Sequence, residues 1–340
     1  MGGTAMIDVS VDIFGIVMHC NESILGLKIG SDYSFEKIYL DMLPHKDRIT
    51  NSRGDLNVEY ADSCLVDENG KFFICLKKHN VFQISGPNIT PGVVYSIDGP
   101  MACEQLTPYQ EHEMAYLYEV FSLLHLFQDG NIGFYEVFFD FTYKTLGIMN
   151  NTVHYSNQSR SRNIVDGRKY ILSEQAIIEC SKFLTDSIGT PFSILKPSID
   201  EFIWGIEQLD IATGFEQYTT ALEMTLLEKD AQNKKKMLAN RVAILTGTTS
   251  ADIIRIYSNM LNYYRFRSES LHEGHGGNIS TAELHSLEEY TRNVLKKCLC
   301  RCKNSITTNT TVTWNEIKSE LINDLKNAVT AAKTAGILPA

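Results

Sequence analysis

The segment Tyr264-Arg-Phe-Arg-Ser-Glu-Ser-Leu-His-Glu-Gly274 closes an amphipathic stretch that opens near Ser250-Ala-Asp252. Along this stretch the apolar side chains recur at steps of three, four or seven residues, as they do on one face of an α-helix; they are Ile253, Tyr257, Met260, Tyr264 and Leu271. Ser250 is expected to cap the helix, and Gly274 follows its last turn, where glycine commonly ends helices. The pattern predicts one long helix whose buried stripe must be covered by neighbouring helices.

The segments on either side of this helix also have helical features. Residues 199–229 are predicted to form one helix, and Lys234–Leu245 a shorter one. Ser280-Thr-Ala-Glu283 and Thr313-Trp-Asn-Glu316 are capping boxes, in which a Ser or Thr and a Glu three residues later satisfy free N–H groups at a helix start. The C-terminal half is therefore predicted to be a helical bundle.

The first hundred residues have a different pattern. Ile7, Val9, Val11 and Ile13 alternate with other residues, which is the period of a half-buried β-strand. Asn69-Gly70 is a strong hairpin signal between two β-like runs. The further strands are expected at 24–29, 56–60, 64–66, 72–76, 81–84 and 93–97. No carboxylates in this region repeat at a spacing that indicates catalysis.

Between these regions the pattern changes twice. Residues 109–128 predict a helix that ends at Asp129-Gly130, and the aromatic run 134–143 fits either a strand or a helix. Asn, Ser and Arg then dominate, which predicts a polar linker. Pro191 and Pro197 are expected to delay the helical core to about Ser198. The predicted fold class is α+β, with a β-rich domain at 1–149, a linker at 150–170 and a helical domain at 171–340.

Composition narrows the class of protein. The chain has 340 residues, 44% of them hydrophobic and 21% charged, which fits an ordinary soluble protein, and no apolar run reaches the length of a membrane span. Of the net charge of −10, residues 1–170 carry −8 (13 Lys+Arg against 21 Asp+Glu) and residues 171–340 carry −2 (18 against 20). This charge argues against broad electrostatic binding to RNA, but it allows a local cleft lined by arginine.

Eight cysteines are scattered along the chain, which is typical of reduced thiols in a cytoplasmic protein. Cys298, Cys300 and Cys302 lack the spacing of a zinc site. We therefore expect no metal and no cofactor.

Arg267 and His272 are a candidate catalytic pair, because an Arg that holds a phosphate and a His that moves a proton suffice to cleave RNA without a metal. At 100° per residue the two positions lie about 140° apart on an ideal helix, whereas Arg265 and His272 lie on nearly the same face. Arg267 and His272 can act on one phosphate only if the helix ends before His272, or if two copies of the chain face each other.

Residues from about 198 to 300 resemble the ApeA-like HEPN domains of bacterial phage defence. Three motifs occur in the order typical of that family: Ala221-Leu222-Glu223, then Arg241-Val-Ala-Ile-Leu245, then Tyr264-x-x-Arg267-Ser268-x-x-x-His272. The chain differs from the family after the histidine, where Glu273 stands in place of the usual Gly and Gly274 follows one position later. The match covers about a third of the chain.

The resemblance implies a metal-independent endoribonuclease that works as a homodimer through its helical domain. His272 would be the general acid and base, and Arg267 would stabilise the charge that develops on phosphorus. Arg265, Ser268, Glu223 and Tyr264 would support the site or bind RNA, although Tyr264 fits a core position and Glu223 fits a partner for Arg267 or Arg241. The β-rich domain would receive an activator from phage or host in antiviral defence by abortive infection.

Three alternatives remain at this point. Arg267 would be a structural residue paired with Glu223 or Glu269, with His272 favoured only by the helix dipole, or His275 would be the acting imidazole. A non-catalytic HEPN module that binds RNA, a nucleotide or a protein partner would have the same three motifs without any cleavage.

Overall fold

The computed structural model describes residues 4–30, 32–88, 99–145, 149–158, 168–208, 210–273, 279–308 and 311–339. An antiparallel sheet comes first and a long run of helices follows, so the α+β prediction is confirmed. The described residues form two compact units. The sheet unit takes in positions up to 121, 130–158 and 168–185, and the helical unit takes in 122–129 and 186–339.

The sheet unit is built on six strands in the order β2-β4-β1-β5-β6, with β3 beside β4. The strands are β1 (Thr4–Met18), β2 (Tyr33–Tyr39), β3 (Leu65–Asp67), β4 (Gly70–Asn88), β5 (Gly133–Thr145) and β6 (Met149–Gln158). All five pairings are antiparallel. The central strand β1 has the predicted alternation, since Val9, Val11 and Ile13 are buried while Asp12 is exposed.

Both faces of the sheet are covered, by different parts of the chain. On one face Phe14 of β1, Phe73 of β4 and Phe138 of β5 pack against residues 43–60, which include two single-turn helices, α1 (Lys46–Ile49) and α2 (Val58–Ala61). On the opposite face lies α3 (Gly99–Phe127), whose Tyr109 ring stacks 4.3 Å from the ring of Phe82.

The hairpin prediction is confirmed, and two other strand predictions in this half are wrong. Asp67 pairs with Gly70 at the turn from β3 to β4, and Gly70 has a φ of 122° that favours glycine. Residues Glu22–Gly26 form a 3-10 helix capped by the side chain of Asn21, and 58–61 form α2, so no strands form there. The run at 81–84 belongs to β4, and the run at 93–97 lies outside the described residues.

The segment after the aromatic run is the main correction. Residues 134–143 belong to β5, and residues 149–158 form β6, so the predicted polar linker at 150–170 is wrong over its first part. Glu136 to Thr145 of β5 pair in register with Gln158 to Met149 of β6. Backbone hydrogen bonds hold this edge strand, and they do not require apolar side chains. Arg160 and Arg162 lie outside the described residues.

The helix predicted over 199–229 is two helices. These two helices are α5 (Thr190–Ile206) and α6 (Ile211–Leu226). The helix before them is α4 (Glu174–Ser187). Asp210 caps α6 by accepting a hydrogen bond from the Thr213 amide at 2.8 Å. Pro191 lies in the first turn of α5 and Pro197 inside it, so neither proline delays the helical core to Ser198.

The remaining helices agree closely with the sequence. They are α7 (Lys234–Thr246), α8 (Ser250–Glu273), α9 (Thr281–Thr308) and α10 (Trp314–Thr334). Both predicted capping boxes are present, with Ser280 and Glu283 starting α9 and Thr313 and Glu316 starting α10. The cap of α8 is Thr249 and not Ser250, since the Thr249 hydroxyl accepts from the Asp252 amide at 3.1 Å.

Basic side chains of α9 hold the end of α3 within the helical unit. Arg292 donates from Nε to the carbonyl of His125 at 2.9 Å, and Lys296 donates to the carbonyl of Phe127 at 2.8 Å. Carbonyls at a helix C-terminus have no partner inside their helix, and cations are favoured there. Within the described ranges, no helix combines the length and the apolar character that crossing a membrane requires.

Candidate functional site

The three family-like motifs lie on three consecutive helices of the helical unit. Glu223 is on α6, Arg241 is on α7, and the run from Tyr264 to His272 is in the second half of α8. Arg267 donates from Nη1 to Oε1 of Glu223 at 2.6 Å. The two side chains are only 17% and 18% exposed. The first and third motifs, 44 residues apart in sequence, therefore meet in a largely buried ion pair.

Arg241 belongs to a separate group of charges. It is buried, and its guanidinium donates to the Leu226 carbonyl at the end of α6 and to Glu228 at 2.7 Å. Lys326 of α10 forms a second ion pair with Glu228 at 3.0 Å. The hydrogen bond from Arg241, with that from Lys326, lowers the pKa of Glu228 to about 2. Glu223 thus pairs with Arg267, not with Arg241.

Tyr264 and Arg265 lie beside the ion pair. The Arg267 guanidinium carbon is 5.9 Å from the centre of the Tyr264 ring, within cation–π range. Burial first, and then the charge of Glu223, raise the pKa of Tyr264, so its hydroxyl stays protonated at neutral pH. Arg265 is exposed and lies 5.4 Å from the ring centre of Phe266.

The backbone of α8 stays helical through Glu273. A helix that continues past position 272 keeps positions 267 and 272 about 140° apart around its axis. The sequence allowed two arrangements in which Arg267 and His272 share a phosphate. The first, a helix that ends before His272, is therefore not present. The side chains of Ser268 and His272, and the whole of His275, lie outside the described residues.

The Arg267 guanidinium keeps donors beyond its bond to Glu223. Its Nε is buried and has no acceptor among the residues that the structure describes. A guanidinium has five N–H groups in a planar fork that suits carboxylates and phosphates. At least one donor of the Arg267 guanidinium, the buried Nε, is therefore not used by Glu223 or by any other described residue.

The cysteines and acidic residues do not form a metal centre in the described part of the chain. No group of three or more His, Cys, Asp or Glu side chains there is arranged to hold a metal ion. Cys298 and Cys302 are buried and free, and burial raises the pKa of Cys302 to about 12. Cys300 is free and exposed.

Sequence reasoning missed a second charged cluster, which lies in the sheet unit. Lys78 of β4 donates to both carboxylate oxygens of Glu113 on α3, at 2.8 and 3.0 Å, and the Tyr33 hydroxyl of β2 donates to Glu113 at 2.6 Å. The side chains of Lys78 and Glu113 are only 8% and 5% exposed. The three residues are 35 or more positions apart, so no local motif indicates them.

Comparison of the chain with protein-family models, with curated proteins and with solved structures found no match.

Proposed function

We propose that this protein is a metal-independent endoribonuclease of the HEPN type. The observation that carries the proposal is the ion pair between Glu223 and Arg267, because it joins the first and third of the motifs that resemble ApeA-like HEPN domains. The structural alternative stated above also pairs Arg267 with Glu223, at the 2.6 Å observed, so the cleavage experiment below has to distinguish the two. The pair fits an arginine held ready for a phosphate.

The chemistry follows from the residue types. The 2′-hydroxyl of RNA attacks the adjacent phosphorus and the bond to the 5′-oxygen breaks, which leaves a 2′,3′-cyclic phosphate and a 5′-hydroxyl. His272 takes the proton of the nucleophile or gives one to the leaving oxygen. Arg267 stabilises the negative charge that develops on the phosphoryl oxygens. Ser268 and Arg265 are additional ligands for the phosphate backbone.

A homodimer completes the site in this proposal. Because α8 continues through Glu273, positions 267 and 272 of one chain lie on different faces of the helix. Symmetric pairing of two α8 helices would bring Arg267 of one protomer towards His272 of the other, since in a two-fold interface a contact from one residue to a second is matched by the reverse contact from the partner. Arg265 lies about 20° around the helix from position 272 and would join the same cleft.

The cellular role belongs to the same proposal. The free cysteines among the described residues fit a reducing compartment, and we place the protein in the cytoplasm. We propose that it is an effector of antiviral defence, acting by abortive infection. The sheet unit would be the part that receives a phage-derived or host activator.

The test is RNA cleavage by the purified full chain in EDTA. Labelled tRNA and single-stranded RNA are incubated with the wild type and with the Arg267→Ala/His272→Ala protein, and the product ends are identified. The matched control is Arg255→Ala, which removes a partly exposed arginine from the same helix. We expect cyclic-phosphate ends from the wild type and the control, and none from the double variant. Cleavage by a clean His272→Ala protein would defeat the catalytic assignment.

A second function, RNA or partner binding without cleavage, is favoured by one observation. Glu223 neutralises the charge of Arg267 at close range, which reduces the pull of this arginine on a phosphate. This alternative expects a dimer that binds labelled RNA but makes no product. Binding would then strengthen in Glu223→Gln, because the arginine would regain its net charge.

A further inference from the structure

A cavity in the sheet unit is lined by the charged cluster of Lys78, Glu113 and Tyr33 described above. Its volume is about 240 Å³, and its wall is formed by Gly30, Asp32, Tyr33, Lys78, His112, Glu113 and Tyr116. A single water needs roughly 10–15 Å³ of such space, so there is room for a chain of several heavy atoms. The lining residues come from β2, β4, α3 and the turn before β2.

The charges around this cavity leave it negative. Lys78 is matched by Glu113, which holds it with both carboxylate oxygens. Asp32 adds a second carboxylate 3.9 Å from Lys78, and its side chain is 58% exposed. One cation and two anions give this group a net charge of −1 when His112 is neutral. A cationic ligand is therefore favoured over an anionic one.

The same carboxylates also act on the two tyrosines that line the cavity. Burial raises the pKa of Tyr116, and the charges of Glu119, Asp32 and Glu113 raise it further. For Tyr33 as well, burial and then Glu113 raise the pKa of the hydroxyl. Carboxylates that disfavour a phenolate in this place favour a cation in it.

The aromatic wall suits a cation as well. The rings of Tyr33 and Tyr116 stack with their centres 5.7 Å apart, and the Lys78 ammonium already lies 4.8 Å from the centre of the Tyr33 ring. The turn before β2 makes room for this wall. Gly30 has a φ of 58°, and a Cβ there would lie 2.6 Å from the Tyr116 hydroxyl oxygen. Cations bind well against tyrosine rings when a carboxylate is close.

We propose that this cavity binds the ammonium group of an alkylamine, with Asp32 as its counter-ion and the Tyr116 ring as its apolar wall. The ammonium belongs either to a free amine or to a lysine side chain of a peptide, which present the same chemistry to the site. The proposal is independent of RNA cleavage in the helical unit, and it gives the sheet unit a ligand class of its own.

The test is calorimetric titration of the full chain at low ionic strength. The probes are n-butylammonium chloride and a capped lysine, and inorganic phosphate is the anionic comparison. Asp32→Asn removes the proposed counter-ion at an exposed position, so it should leave the fold intact. The matched control is Asp62→Asn, which removes the same charge from an exposed residue that does not line the cavity.

We expect saturable binding of an amine, weakened about tenfold or more by Asp32→Asn and unchanged by Asp62→Asn, because a hydrogen bond to a charged group is lost. Binding of both amines would indicate that a free amine suffices, and binding of the capped lysine alone would indicate a peptide. The proposal is overturned by the absence of saturable amine binding, by equal affinity in Asp32→Asn and wild type, or by preferential binding of phosphate.

Discussion

The ion pair between Glu223 and Arg267 should be a strong energetic link between α6 and α8. Its atoms are 2.6 Å apart and its side chains are 17% and 18% exposed, so solvent screens it less than an exposed pair. A hydrogen bond to a charged group contributes about 1.5–3 kcal/mol. Glu223→Gln is therefore expected to lower the free energy of unfolding by about 2 kcal/mol, roughly a thirtyfold change in the unfolding equilibrium.

A double-mutant cycle isolates the pair from other effects of each substitution. The cycle uses Glu223→Gln, Arg267→Met and the double variant, and the coupling energy should be about 1.5 kcal/mol, within the range for residues in one charged contact. The matched control is the pair Asp252–Arg255 on the same helix, which is 3.2 Å long with side chains 35% and 58% exposed. Its coupling should stay below about 0.5 kcal/mol.

Urea unfolding followed by tryptophan fluorescence is a suitable assay. The chain has two tryptophans, Trp204 and Trp314, and both lie in the helical unit. The signal therefore reports the unit that contains the ion pair. In high salt the coupling of the exposed pair should vanish, while that of the buried pair should largely persist. A coupling for Glu223 and Arg267 no larger than that of the control would refute the reasoning.

Three further predictions concern stability. Glu228 has a folded pKa of about 2, below its ordinary value of 4.5, so the stability it contributes is present above pH 4.5 and is lost as pH falls towards 2. In Glu228→Gln, the free energy of unfolding measured in urea should therefore change less between pH 4.5 and pH 2 than it does in the wild type. Thr313→Ala removes a capping-box hydroxyl from α10 and should lower the free energy of unfolding by about 1 kcal/mol in the same fluorescence assay. Gly130 has a φ of 127°, and a Cβ there would lie 2.9 Å from the Cα of Tyr170. Gly130→Ala should therefore lower the melting temperature measured by circular dichroism. Gly54→Ala, at a φ of 81° with open space around it, should lower the melting temperature less.

Local sequence determined the features whose causes lie within a few residues. The capping boxes at Ser280 and Thr313 and the hairpin at Asn69-Gly70 were predictable, because each depends on neighbouring side chains and on φ. The break between α5 and α6 also has a local cause, the cap at Asp210, which was overlooked within a long apolar pattern.

Tertiary structure decided what depends on distant partners. β6 is a strand because β5 offers it a backbone ladder, although its polar sequence reads as a linker. Glu223 pairs with Arg267 rather than Arg241 because packing brings α8 to its carboxylate, while Glu228 and the end of α6 take Arg241. The negative cavity exists only because β2, β4 and α3 meet. A sequence shows which residues can carry charge, but only the packed chain shows which charges are close enough to act together.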